Sequence, residues 1–147
     1  MAGLLLIGLD SSTQSTTACV WTPEGELVSR GSSPLSVERP RPGWAEQPPQ
    51  EWAESACAAL RAALTDAELS RVAGMGVAFQ RETFALLDAQ GRPVRPAMLW
   101  LDVRAEAEAQ HLADALGRGA YQELTGKPAA GKPKKPPPPK PPGSPPG

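Results

Sequence analysis

The stretch "IGLDSSTQSTTACVW", Ile7 to Trp21, limits the possible folds more than any other. An apolar run from Leu4 to Leu9 ends on Asp10, and seven of the next eight residues, all but Gln14, are Ser, Thr or Ala. The β-rich run "TTACVWT", Thr16 to Thr22, follows. A continuous apolar run of this length reads as a strand buried on both faces. "PEG" at Pro23 to Gly25 reads as a turn, with a strand resuming at Glu26 to Ser29, so the chain opens as an antiparallel meander. A carboxylate at a strand end, followed by a tight turn of small residues, stands beside several exposed backbone N–H groups. Such a turn makes a concavity for an anion, with phosphate the usual guest, and small side chains let the backbone approach it. The carboxylate of Asp10 could hold an octahedral Mg²⁺ through water. The same residues also fit a plain hairpin loop in which Asp10 caps its own turn.

Further along, Pro34 to Pro49 reads as an irregular loop. A helix is expected to begin near Pro49, because Pro is tolerated in a first turn. Its apolar face would be Trp52, Ala56, Ala59, Leu60, Ala63 and Leu64. "VAGMGVAF" from Val72 reads as a second buried strand, with glycines for close packing. "TFALLD" and "VRPAMLWL" flank "AQGR" as a second hairpin. Asp102 is expected to cap a helix that ends at Gly117, with Ala105, Ala109, Leu112 and Leu116 on its inner face. Strands that come both as a meander and separated by helices point to an α/β fold, a mixed sheet covered by helices.

Charge and cysteine content exclude some functions. The segment Lys127 to Gly147 holds ten of the 18 prolines, five lysines and no acidic residue. Without it, ten basic residues face sixteen acidic ones, a net charge of −6, which gives a nucleic-acid partner no support. The segment itself reads as a disordered polyproline II tail, so the expected division is a folded body over residues 1–126 and a tail over 127–147. Cys19 and Cys57 form no C-x-x-C pair and lie far in sequence from His111, so metal binding and disulfides are poorly supported. The N-terminus lacks the basic region of a signal peptide and its apolar run is too short to cross a membrane. A soluble cytoplasmic protein is expected.

Two later segments could carry chemistry. Gln80, Arg81, Glu82 and Thr83 follow the strand from Val72 directly. Polar groups at a strand end can line a cleft, and Arg with Glu supplies both donors and acceptors for a polyol. A solvated turn with a surface Arg–Glu pair explains the same residues. In "AMLWLDVRAEAE", Trp100 is either a core indole or a wall for the apolar face of a carbohydrate, beside Asp102 and Arg104.

Taken together, "IGLDSSTQSTTACVWTPEGELV", "GWAEQPPQEWAES", "VAGMGVAFQRETFALLDAQGRPVRPAMLWLDVRAEAE" and "LTGKP" resemble the N-terminal domain of the FGGY carbohydrate kinases, which include glycerol kinase and xylulokinase. The resemblance covers about Leu4 to Pro128, and composition gives no reason for its "GWAEQPP–EW" element. It implies an incomplete first domain of the actin-like, ribonuclease H-like fold. It also implies transfer of the γ-phosphoryl of ATP, with Mg²⁺, to a sugar or polyol hydroxyl. By the same resemblance, Asp10 lies near the metal and the backbone around Ser12 and Thr13 faces phosphate. Gln80, Arg81 and Glu82 would bind substrate hydroxyls, Trp100 would pack on the substrate, and Asp102 and Arg104 match a W-x-D-x-R element. "QRET" is similar to the glycerol kinase form of the substrate loop, not to the "QMHG" form of xylulokinase.

Two positions depart from the family pattern. Ser12 stands where the family usually has Gly, at a cost of roughly 1–2 kcal/mol if the position needs positive φ. Thr17 stands where Lys or Arg is usual, which removes a cation from beside the transferring phosphate. The family's catalytic Asp and its adenosine-binding domain are expected beyond the matched region. The chain is therefore expected to be the N-terminal piece of such a kinase, inactive and marginally folded by itself, with a homo-oligomer one option for its longer form. The competing reading is a non-catalytic protein whose proline-rich tail recruits a partner.

Overall fold

The computed structural model describes residues 3–127, so the proline-rich segment from residue 128 onward lies outside the described residues. Two compact units are present, Met1–Asp102 and Val103–Gly147.

The first unit is built on a four-stranded sheet. Strands β1 (Leu5–Ser11), β2 (Ser15–Trp21) and β3 (Leu27–Pro34) form the expected antiparallel meander. Strand β5 (Val72–Phe79) pairs parallel to β1, so the order is β3-β2-β1-β5 and the sheet is mixed. The β2–β3 turn closes through Gly25, whose φ of 91° suits a residue without Cβ. Helix α1 (Gln50–Ala63) follows Pro49, whose φ of −60° is already helical, and lies over β2 and β3. Ser55, Ala59 and Ala63 are its buried residues. Gly31 makes this contact feasible: a Cβ there would stand 2.2 Å from the carbonyl oxygen of Ala59. The core consists of Leu5, Leu9, Ala18, Val20, Ala59 and Ala63.

Three features of this unit depart from the sequence pattern. Strand β1 is buried on one face only: Leu5, Ile7, Leu9 and Ser11 are covered, whereas Leu4, Leu6 and Asp10 are exposed. Strand β5 is exposed from Ala73 to Phe79 because α1 covers the other end of the sheet. The segment from Pro34 to Pro49 is not wholly irregular. Strand β4 (Glu46–Gln47) pairs antiparallel with β6 (Ala97–Met98), and isolated bridges join Glu38 to Glu46 and Phe84 to Met98. The second hairpin is present in outline, with a Leu87–Pro93 bridge and a turn whose carboxylate, Asp88, accepts the N–H groups of Gln90 and Arg92. The short helix α2 (Asp66–Leu69) precedes β5.

In the second unit, α3 (Glu106–Leu116) leads into α4 (Arg118–Thr125). The chain leaves α3 at Gly117, with φ at 78°. Asp102 does not cap α3, which begins after Ala105 with no side-chain cap. Its carboxylate instead accepts the backbone N–H of Ala45 at 2.8 Å within the first unit. The expected inner face is also corrected: Ala113 is the buried residue of α3, and Leu112 and Leu116 are about half exposed. Among the described residues no helix is long and apolar enough to cross a membrane.

Candidate functional site

The β1–β2 turn is tight: the N–H of Ser12 donates to the carbonyl of Ser15 at 3.0 Å. The hydroxyl of Ser12 donates to Asp10 Oδ2 at 2.9 Å, so one carboxylate oxygen is held inside the turn. Ser12 is not in the left-handed region, and the strain that its replacement of Gly could have carried is absent. Among the described residues the one non-glycine there is Glu82, with φ at 65°, in the candidate substrate loop. Such a conformation costs of order 1–3 kcal/mol and clusters at ligand clamps. Arg81 and Glu82 are both exposed.

Asp10 lies on the sheet face opposite α1 and pairs across the ladder with Thr17. Directly paired residues share a face, so Thr17 stands beside Asp10. Its hydroxyl lies 3.3 Å from that of Ser32, so a neutral hydroxyl pair occupies the place of the expected cation. Among the described residues no group of three or more His, Cys, Asp or Glu could hold a metal. A single carboxylate at Asp10 instead suits Mg²⁺, which keeps several waters and takes other oxygens from phosphate.

Thr13, Gln80 and Trp100 come together although they lie on three separate segments. The indole Nε1 of Trp100 donates to Thr13 Oγ1 at 2.9 Å, and Thr13 Oγ1 donates to Gln80 Oε1 at 3.2 Å. Thr83, next along the loop, accepts the backbone N–H of Trp100 on its hydroxyl at 3.1 Å. The turn read as facing phosphate and the loop read as facing substrate therefore share one hydroxyl. Trp100 remains 37% exposed, so part of its ring is accessible. Asp102 sits two residues on and ties the segment to Ala45.

The sequence reading missed the residues beneath this site. Gln47 has no exposed surface and uses all four of its hydrogen-bonding positions. Its Oε1 accepts Trp52 Nε1 at 2.6 Å and Gln80 Nε2 at 3.3 Å. Its Nε2 donates to the carbonyls of Thr13, at 3.1 Å, and Ser36. Beside it, the buried carboxylate of Glu46 pairs with Arg95. A second buried chain runs through Ser11, Thr16 and Ser55, at 3.1 and 2.7 Å, and locks the β1–β2 hairpin to α1. The available signal was "GWAEQPP": Ala45, Glu46 and Gln47 are all buried, which accounts for a polar element in an otherwise irregular segment.

Residues 5–132 match the N-terminal domain of the FGGY family of carbohydrate kinases. The chain belongs to that family. It is 35% identical to a xylulose kinase of Klebsiella pneumoniae over 83% of this chain and 25% of the relative. It is 38% identical to a glycerol kinase of Verminephrobacter eiseniae over 82% of this chain and 24% of the relative. The crystal structure of a xylulose kinase from Rhodospirillum rubrum superposes with a TM-score of 0.79 at 29% identity, covering 86% of this chain and 26% of that one. The fold is that of the actin-like sugar kinases, of which this chain holds part of the first domain. The chain spans about a quarter of the length of the curated relatives it matches.

Proposed function

We propose that this chain supplies the phosphate-facing and substrate-facing wall of an ATP-dependent kinase that phosphorylates a sugar or polyol hydroxyl. The observation that most supports this reading is the Trp100–Thr13–Gln80 chain of hydrogen bonds, which ties the anion turn to the polyol loop. In such a site Asp10 holds hydrated Mg²⁺, and the backbone around Ser12 and Thr13 faces the phosphates. When bound, the metal neutralises phosphate charge. Gln80, Arg81 and Glu82 bind substrate hydroxyls, and the exposed part of Trp100 covers an apolar face of the substrate. The Arg81–Glu82 pair favours a glycerol-like polyol, and the left-handed Glu82 directs that loop. Catalysis then rests on positioning and charge neutralisation, and turnover belongs to a polypeptide that also supplies what the relatives carry over the rest of their length. A cytoplasmic setting is part of the same proposal.

A chimera tests it. Residues 4–126 replace the matching segment of the Klebsiella xylulose kinase, and ADP release is followed with glycerol and with D-xylulose. Substrate-dependent turnover that falls at least about 100-fold in Arg81→Ala is the expected result, since a charged group that orients substrate acts on the transition state. A chimera that melts like its parent yet releases ADP equally with and without either substrate would overturn the proposal.

A further inference from the structure

We propose that Gln47 is a positioning residue that joins the phosphate turn to the polyol loop and, through them, sets the place of the Trp100 indole. The proposal rests on the functional reading above for the roles of those two segments. Gln47 lies on the two-residue strand β4 and is fully buried, so it touches neither substrate nor phosphate. Its four partners come from four separate places: the β1–β2 turn, the segment after β3, helix α1 and the residue after β5. An amide needed only to fill space would be costly in such a position, because burying it is favourable only when every valence is met.

The polarity of the network follows from its ends. Trp52 Nε1 can only donate, so the oxygen of Gln47 must face it and the Gln47 amino group must face the carbonyls of Thr13 and Ser36. Gln80 then meets the same oxygen with its own amino group and turns its oxygen to the Thr13 hydroxyl. That hydroxyl, having spent its proton on Gln80, is left to accept the indole N–H of Trp100. Two indoles that can only donate thus bracket one directed chain, and Gln47 is the member that no ligand can reach.

The test uses the intact ¹⁵N-labelled chain, whose four tryptophans give four indole signals. In Gln47→Leu, hydrogen exchange at the Trp100 indole is expected to accelerate about tenfold beyond any change at the core amides of Ala18 and Val20, a factor that loss of one buried hydrogen bond can produce. The Trp100 indole donates its one hydrogen to Thr13, so a Gln47 that acts only on its own neighbours would change the Trp52 indole and leave Trp100 unmoved, which overturns the proposal. If Gln47→Leu does not fold, Gln80→Met breaks the same chain at a partly exposed residue. The expected result is the same acceleration at Trp100, and none overturns the proposal. Glycerol then reads the consequence: Gln47→Leu is expected to need about tenfold more than wild type to shift the Trp100 signal. Coincident titrations overturn the proposal. A wild-type signal that ignores both glycerol and D-xylulose counts against the kinase reading alone, and exchange without ligand then decides the role of Gln47.

Discussion

The two ends of one sheet face differ more than their sequences do. Leu9 and Val77 are register partners on parallel strands and point the same way, yet Leu9 is 7% exposed and Val77 is 61% exposed. At the β2 and β3 end, Ala59 and Ala63 of α1 approach the strands closely, because Gly31 leaves room and Ser29 donates to the carbonyl of Ala63 at 2.5 Å. At the β5 end the same helix reaches only as far as Trp52, whose ring meets Phe79 edge-on at 5.0 Å. Met75, Val77 and Phe79 are as apolar as the residues under the helix and remain open. Apolar pattern alone therefore does not tell which strand is covered; the position of one helix does.

Substitutions at the covered and open ends should have very different costs. The largest effect is expected from Gly31→Ala. Its Cβ would clash with the backbone of Ala59 and Ala63, which cannot move without lifting α1. A loss of about 3 kcal/mol in urea unfolding, or no folded protein, is expected. Leu9→Ala should cost about 2–3 kcal/mol, whereas Val77→Ala should stay within about 0.5 kcal/mol. Equal costs in the two unfolding curves would mean that β5 is as well covered as β1. Thr16→Val, which takes a hydroxyl from between Ser11 and Ser55, should cost about 1–2 kcal/mol by the same measurement. Val77→Lys should leave the melting temperature nearly unchanged and lower light scattering on storage, since a charge on an exposed apolar edge strand opposes strand-to-strand association. A fall in stability matching that of Leu9→Ala would contradict the exposed position of Val77.

The smallest effect lies at the second hairpin. The backbone N–H of Arg92 holds the carboxyl of Asp88 below its ordinary range, and the Arg92 side chain and the Gln90 N–H act in the same direction. A lowered folded-state value means that the contribution is present above the unfolded carboxylate value and is lost as pH falls through the folded one. Amide exchange at Gln90 and Arg92, corrected for intrinsic rates, should therefore accelerate in acid in the wild-type chain. Asp88→Asn should flatten this dependence.

Much of this protein was legible along the chain. The meander, the turn at Gly25, α1 after Pro49 and a strand starting at Val72 follow from periodicity and from Gly and Pro, which act within a few residues; that this strand runs parallel to β1 and lies open does not. Asp10, Gln80, Arg81 and Glu82 could be singled out because polar residues at strand ends stand out against apolar runs, whereas the roles expected of Ser12 and Thr13, and the choice between the two readings of Trp100, came from the family resemblance. Asp102 misled as a helix cap, because its partner, the Ala45 N–H, lies 57 positions away and has no local mark. At Ser12 the condition for strain is not met, and among the described residues the one non-glycine with positive φ is Glu82.

Residue types at short, regular spacings were enough for the long strands β1, β2, β3 and β5, for the turn chemistry and for the family, but not for the two-residue strands β4 and β6. Which face α1 covers, the burial of Gln47 and Glu46, and the single Thr13 hydroxyl that joins the two sides of the site all depend on long-range packing. The physical reason is directional. A hydrogen bond is made only when donor and acceptor from distant segments arrive at about 3 Å and at the right angle, and no periodicity along the chain encodes that meeting.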